Sequence, residues 1–185
     1  MTSRLLQATA VLLFILPTAA SARQQVPTAR AETIKGFRGE FVRGAFEVQQ
    51  KVLALARAIP AEKYSWRPAP GIRSISEVFM HIAGSNYFLT GFLGSQPPAG
   101  VPADFEKITQ KQAVIAELQR SFDHVRDTAR SAADGDLEKT VTLFGSSVTQ
   151  RVVYVTILNH LHEHLGQAIA YGRMNGVAPP WSGRD

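Results

Sequence analysis

Three of the chain's five histidines fall within the five residues His160-Leu161-His162-Glu163-His164, inside the apolar stretch Val152–Tyr171 (VVYVTILNHLHEHLGQAIAY). On a helix of about 3.6 residues per turn, Val153, Ile157, His160, His164, Gln167 and Tyr171 fall close to one line, so two imidazoles continue a core stripe. His162 is rotated by roughly 200° from each neighbouring histidine and faces another side, which gives solvation rather than ligation. Two inward imidazoles one turn apart are costly to bury unless something satisfies both, and a divalent metal does so. Hydrogen-bonded core histidines are the competing reading of the same pattern.

A third nitrogen is available from His81, in the segment Phe79-Met80-His81-Ile82-Ala83-Gly84. His81 follows Ser74 by seven residues and Glu77 by four, so these polar side chains share a helix face, away from Ile75, Phe79 and Ile82. Set opposite His160 and His164, His81 completes a three-nitrogen site of the kind used by catalytic zinc, with a coordination position open to water. Zinc is the expected metal, with nickel, iron or manganese as alternatives for imidazole donors. Glu77 and Glu163 are candidate acid/base helpers, and Gln167 can orient a ligand as an outer partner.

The same five letters also fit H-x-x-E-H, the inverzincin protease pattern, with Glu163 as general base. That pattern is short, and only 21 residues follow His164, with Asp185 as the sole acid to serve as a distant ligand. Glu163 therefore reads better as helix surface or as an outer partner. His124, among the charges of Ser121-Phe122-Asp123-His124-Val125-Arg126-Asp127, is expected on a solvated face. Tyr64, Trp66 and Trp181 are expected to pack around loops.

Four long amphipathic segments must position these residues. Phe41, Ala45, Val48, Val52 and Leu55 recur at helical spacing within a first helix over about 32–58, ended by Ile59-Pro60. Ser74-Ile75-Ser76-Glu77 is a capping-box pattern opening a second helix that runs to about Leu93. A third, from Ala103 or Phe105 to Ala132, carries Phe105, Ile108, Val114, Ile115, Leu118, Phe122 and Val125 on one side. Residues 133–147 are irregular, with a short segment Leu137–Leu143 that could be extended. The fourth helix spans about Val148 to Met174, with Asn175-Gly176 as its C-cap and Pro179-Pro180 as a stop. With no convincing strand pair, the expected fold is all-α: a four-helix bundle whose long loops leave room for a crossover connection.

The N-terminus reads as a secretory signal peptide over residues 1–22: Arg4, the apolar run Leu5–Leu16, Pro17, and small residues at Ala20 and Ala22. The run is shorter than the about 20 residues a membrane span needs, so no stable membrane insertion is expected after cleavage. Residues 23–31 form a polar lead-in and 32–185 the folded domain, with 45% hydrophobic content in the whole chain, enough for one core. An exported, periplasmic or extracellular protein without a single cysteine is held by its core or a metal rather than by disulfides, and has no thiolate ligand or nucleophile. The net charge of +5 is spread among acids with no dense basic block, which argues against nucleic-acid binding. Bundles of this kind can pair as homodimers through an exposed apolar face.

Trp66-Arg67-Pro68, Gly71-Ile72-Arg73-Ser74-Ile75, His81-Ile82, His160-x-x-x-His164-x-Gly166-Gln167 and Tyr171-x-Arg173-x-x-Gly176, in that order, resemble the DinB-like (damage-inducible B) superfamily. The resemblance covers most of the chain after the signal peptide. It implies a four-helix bundle with a metal on three histidines, matching His81, His160 and His164. It also implies metal-dependent chemistry on a small molecule, since such proteins include transferases and isomerases using low-molecular-weight thiols, hydrolases and stress proteins. Leu165 stands where an arginine is common, and export would separate the chain from the cytoplasmic thiol pool. The expected function is that of an exported metal-dependent hydrolase or transferase; the alternative is a non-enzymatic, metal-stabilised binding or stress-related module.

Overall fold

The computed structural model describes residues 34–183; the expected signal peptide, residues 1–22, and the expected lead-in, residues 23–31, lie outside them. Helix α1, Gly36–Ala58, starts four residues later than expected, because Gly36 has a φ of +67° that a continuing helix cannot hold. It ends as expected: Ile59 before Pro60 is extended. Helix α2, Ile75–Gly91, opens on the expected capping box, in which Ser74 Oγ accepts from Glu77 N while Glu77 Oε2 accepts from Ser74 N at 2.6 Å.

The third helix, α3, spans Lys111–Ser131 and corrects the expected start near Ala103 or Phe105. Phe105–Lys107 form a separate 3₁₀ turn, and extended backbone at Ile108 and Gln110 prevents fusion with α3. Phe105 turns instead onto α2, where its ring stacks on Tyr87 at 5.8 Å.

The expectation of no strand pair is also corrected. Thr140–Leu143 (β1) and Ser146–Thr149 (β2) form an antiparallel hairpin with Leu143 opposite Ser146, so the protein is mostly helical rather than all-α. Its two-residue turn, Phe144-Gly145, has φ of +50° and +82°, the geometry that matches strand twist. Helix α4, Gln150–Met174, follows directly. Its end is a Schellman cap: with Gly176 at φ +74°, Val177 N donates to Gly172 O and Gly176 N to Arg173 O.

Helices α1 and α2 each pack against both α3 and α4. The core between them includes Phe41, Val52, Phe79, Leu118, Phe122, Ile157 and Leu161. A buried polar contact, Asn86 Nδ2 donating to Ser121 Oγ at 3.1 Å, fixes α2 against α3. On α4 the stripe Val153, Ile157, His164 and Tyr171 is buried as the spacing requires. Because α4 packs along α2, its inward histidines face the one on α2. No helix among the described residues is long and apolar enough to cross a membrane.

Candidate metal centre

His81 projects from the second turn of α2 and His160 and His164 from the middle of α4. One ring nitrogen from each lies within 4.8 Å of the others, and His81 Nε2 and His160 Nε2 are 3.2 Å apart. The ring centroids are 4.4 to 5.0 Å apart in all three pairs. Two nitrogens bound tetrahedrally to one zinc at about 2.1 Å stand about 3.4 Å from each other, so the His81 and His160 pair already has ligating separation.

The protonation pattern suits ligation. His164 is 9% exposed, and its Nδ1 lies 2.8 Å from Gln167 Oε1, while Gln167 Nε2 donates to Tyr171 Oη at 3.2 Å. With the amide oxygen as acceptor, Nδ1 carries the proton and Nε2 keeps its lone pair. Burial pushes the His160 pKa down to about 4, helped by the neighbouring His164, His81 and Arg73 charges. At neutral pH His160 is therefore an uncharged imidazole, the form that binds metal. Its Nδ1 is buried without a hydrogen-bond partner, so protein contacts alone leave this ring unsatisfied. The donor set fits a divalent transition metal: three converging imidazoles, one kept uncharged by burial and another oriented by an outer amide.

Beyond the ligands, Tyr171 is held by Trp66, whose ring meets it edge-on at 5.5 Å. The loop before α2 is thereby tied to the histidine-bearing face of α4. Tyr64 and Trp181 also pack onto the core.

The other candidates fall elsewhere. His162 is exposed, with Nδ1 donating to Leu158 O on its own helix at 2.8 Å. Glu163 is exposed beside it. Both Glu77 oxygens are engaged, Oε1 by Arg67 at 2.9 Å and Oε2 by Ser74 N. The Ser74 N–H first, opposed by burial, and then Arg67 hold the Glu77 carboxyl below its usual range. His124 corrects the expectation of a solvated face: it is half-buried, 5.2 Å from Tyr87, with its pKa lowered by burial.

A cavity of about 500 Å³ adjoins His81, between α2 and the Phe105–Lys107 turn. Periodicity missed this wall because Phe105 was read as helical. The available signal was Gly84, a glycine inside a helix where alanine is favoured by about 1 kcal/mol; a Cβ there would meet Phe105 Cδ2 at 3.3 Å.

Four helices bringing three histidines together between α2 and α4 define a helical protein with a candidate metal centre. The DinB superfamily model matches residues 47–168, and the chain belongs to that superfamily. Among solved structures, a DinB-like protein from Bacillus cereus aligns with a TM-score of 0.67 at 19% identity, covering 78% of this chain and 95% of its own. A DinB-like protein from Bacillus subtilis aligns with a TM-score of 0.59 at 20% identity, covering 74% and 92%. A search of curated proteins gave no match.

Proposed function

We propose that His81, His160 and His164 hold one divalent metal, zinc in the first instance, in a four-helix bundle with a crossover connection, and that the protein is an exported hydrolase or transferase acting on a small molecule. The observation that carries this is the convergence of three imidazoles within 4.8 Å, with Gln167 setting the tautomer of one. Three protein nitrogens match the ligand count of catalytic rather than structural zinc, which has four. A metal bound there would supply a Lewis acid that polarises a substrate atom or lowers the pKa of a bound water. Toward it, the protein contributes three converging imidazoles, an outer amide and an adjoining cavity. That cavity favours substrate binding over the second reading, a non-enzymatic module in which metal only ties α2 to α4. Glu77 and Glu163 would serve as acid/base helpers only after leaving their present settings, the helix cap and the exposed face of α4.

The direct test is metal analysis of the full chain purified without a histidine tag, with His160→Ala beside it. About one metal per chain in the wild type, lost in the variant, is expected. A wild-type protein without stoichiometric metal after incubation with zinc would end both readings.

A further inference from the structure

The cavity beside His81 does not stop at the candidate metal centre. Met80, His81, Gly84 and Phe88 supply its α2 side, and Phe105 and Lys107 stand opposite. The far wall is seated rather than loosely apposed: Phe105 lies directly over Gly84, where a Cβ would crowd it at 3.3 Å, and stacks on Tyr87. Lys107 pairs with Asp104 at 2.5 Å on the exposed rim.

His81, Ser85, Phe88 and Phe92 follow one another at steps of four, three and four along α2 to its C-cap. At about 1.5 Å rise per residue, Phe88 stands about 10 Å and Phe92 about 16 Å along the axis from His81. Phe88 both lines the cavity and begins an exposed aromatic cluster. Its ring centroid is 5.2 Å from Phe92 and 6.2 Å from Phe144, and Phe92 is 5.8 Å from Phe144. Phe88 and Phe144 are 58% and 67% exposed, an unusual state for two rings in mutual contact. Phe144 also holds a φ of +50° at the hairpin tip, where asparagine or glycine would avoid the steric cost. Strain retained at an exposed ring that extends a ligand-sized cavity points to a use for that ring.

We propose that this groove binds an amphipathic small molecule, with a polar, metal-coordinating head at His81, His160 and His164 and an unbranched or aromatic tail lying along α2 onto Phe88, Phe92 and Phe144. The inference rests on the metal reading of the triad and adds the substrate class. Bond angles reduce the C–C bond of about 1.5 Å to an advance of about 1.25 Å per carbon, so a tail of about eight or nine carbons covers the axial distance from His81 to Phe88 and one of about thirteen reaches Phe92. Burying each methylene is worth about fourfold in affinity, equivalent to about 0.8 kcal/mol.

Straight-chain alkyl hydroxamic acids from two to twelve carbons, titrated calorimetrically into the zinc-loaded full chain, test this without reference to turnover. Affinity is expected to rise at least tenfold from acetohydroxamic to octanohydroxamic acid and to go on rising to twelve carbons as the tail reaches toward Phe92 and Phe144. Phe88→Ser, at an exposed position that spares the core, is expected to keep acetohydroxamate affinity and lose most of the gain. Phe144→Ser provides an independent variant away from the helix. Equal affinities, within twofold, across the series in a protein that binds acetohydroxamate would overturn the tail site and leave the metal reading standing. A chain-length gain unchanged in both variants would place the tail elsewhere and overturn the proposal. Failure of the chain to take up zinc would remove the metal reading, and this one with it.

Discussion

Gln167 gives the most discriminating test of the metal centre, because it touches no metal in the proposed site and acts only through His164. Its Oε1 accepts the His164 Nδ1 proton at 2.8 Å, and its own amide is held by Tyr171 Oη at 3.2 Å. In Gln167→Leu the side chain keeps about the same size, but the Nδ1–H of a ring only 9% exposed loses its acceptor. An unsatisfied buried donor costs about 1–3 kcal/mol, and the ring also loses the bond that favours the Nδ1–H tautomer and fixes its orientation. Loss of an outer partner to a metal-binding histidine lowers metal affinity by about 10- to 100-fold, or about 1.4–2.8 kcal/mol, which agrees with the hydrogen-bond figure. Competition of zinc between the protein and a chromophoric chelator at pH 7 measures this. Gln167→Glu, which keeps an acceptor, should retain wild-type affinity or better it, and Tyr171→Phe should lose only a few-fold. If Gln167→Leu, shown to be folded by circular dichroism, bound zinc within twofold of wild type, His164 would not be an oriented ligand.

Glu77→Ala should lower stability at pH 7 by about 1 kcal/mol through loss of the capping box, a drop of about 2–4 °C in Tm for a chain of this size. Because the folded carboxyl titrates below its ordinary 4.5, its contribution is present above that value and is lost as the pH falls through the folded pKa. The Tm gap between wild type and variant should therefore narrow in acid, and a gap independent of pH would assign the effect to the neutral cap alone. Tyr154→Phe should be neutral or stabilising by up to about 1 kcal/mol, since the hydroxyl is buried without a hydrogen-bond partner. A denaturant melt showing a loss of 2 kcal/mol or more would mean that the hydroxyl has a partner, such as a buried water.

The histidine pair on α4 was legible because a step of four on a helix brings side chains back to one face, and Val153, Ile157 and Tyr171 mark that face as buried. Orientation of Gln167 toward His164 follows from the same arithmetic at a step of three. His81 was less legible from spacing alone: its position follows from the Ser74 to Glu77 capping box, which sets where α2 starts and hence which residues face α4. What periodicity could not supply was any segment whose conformation is decided by a distant partner. Phe105 and Ile108 fit a helical pattern, yet Phe105 finds its burial in the space left by Gly84 on another helix. The hairpin was missed for a related reason, because Phe144-Gly145 lacks the Asn-Gly or Asp-Gly pair that identifies such turns. Both misses lie near the same cavity, Phe105 in its wall and Phe144 against Phe88, which lines it. The proposed tail site would draw on both departures, Phe105 as a wall of the cavity and Phe144 through its contact with Phe88.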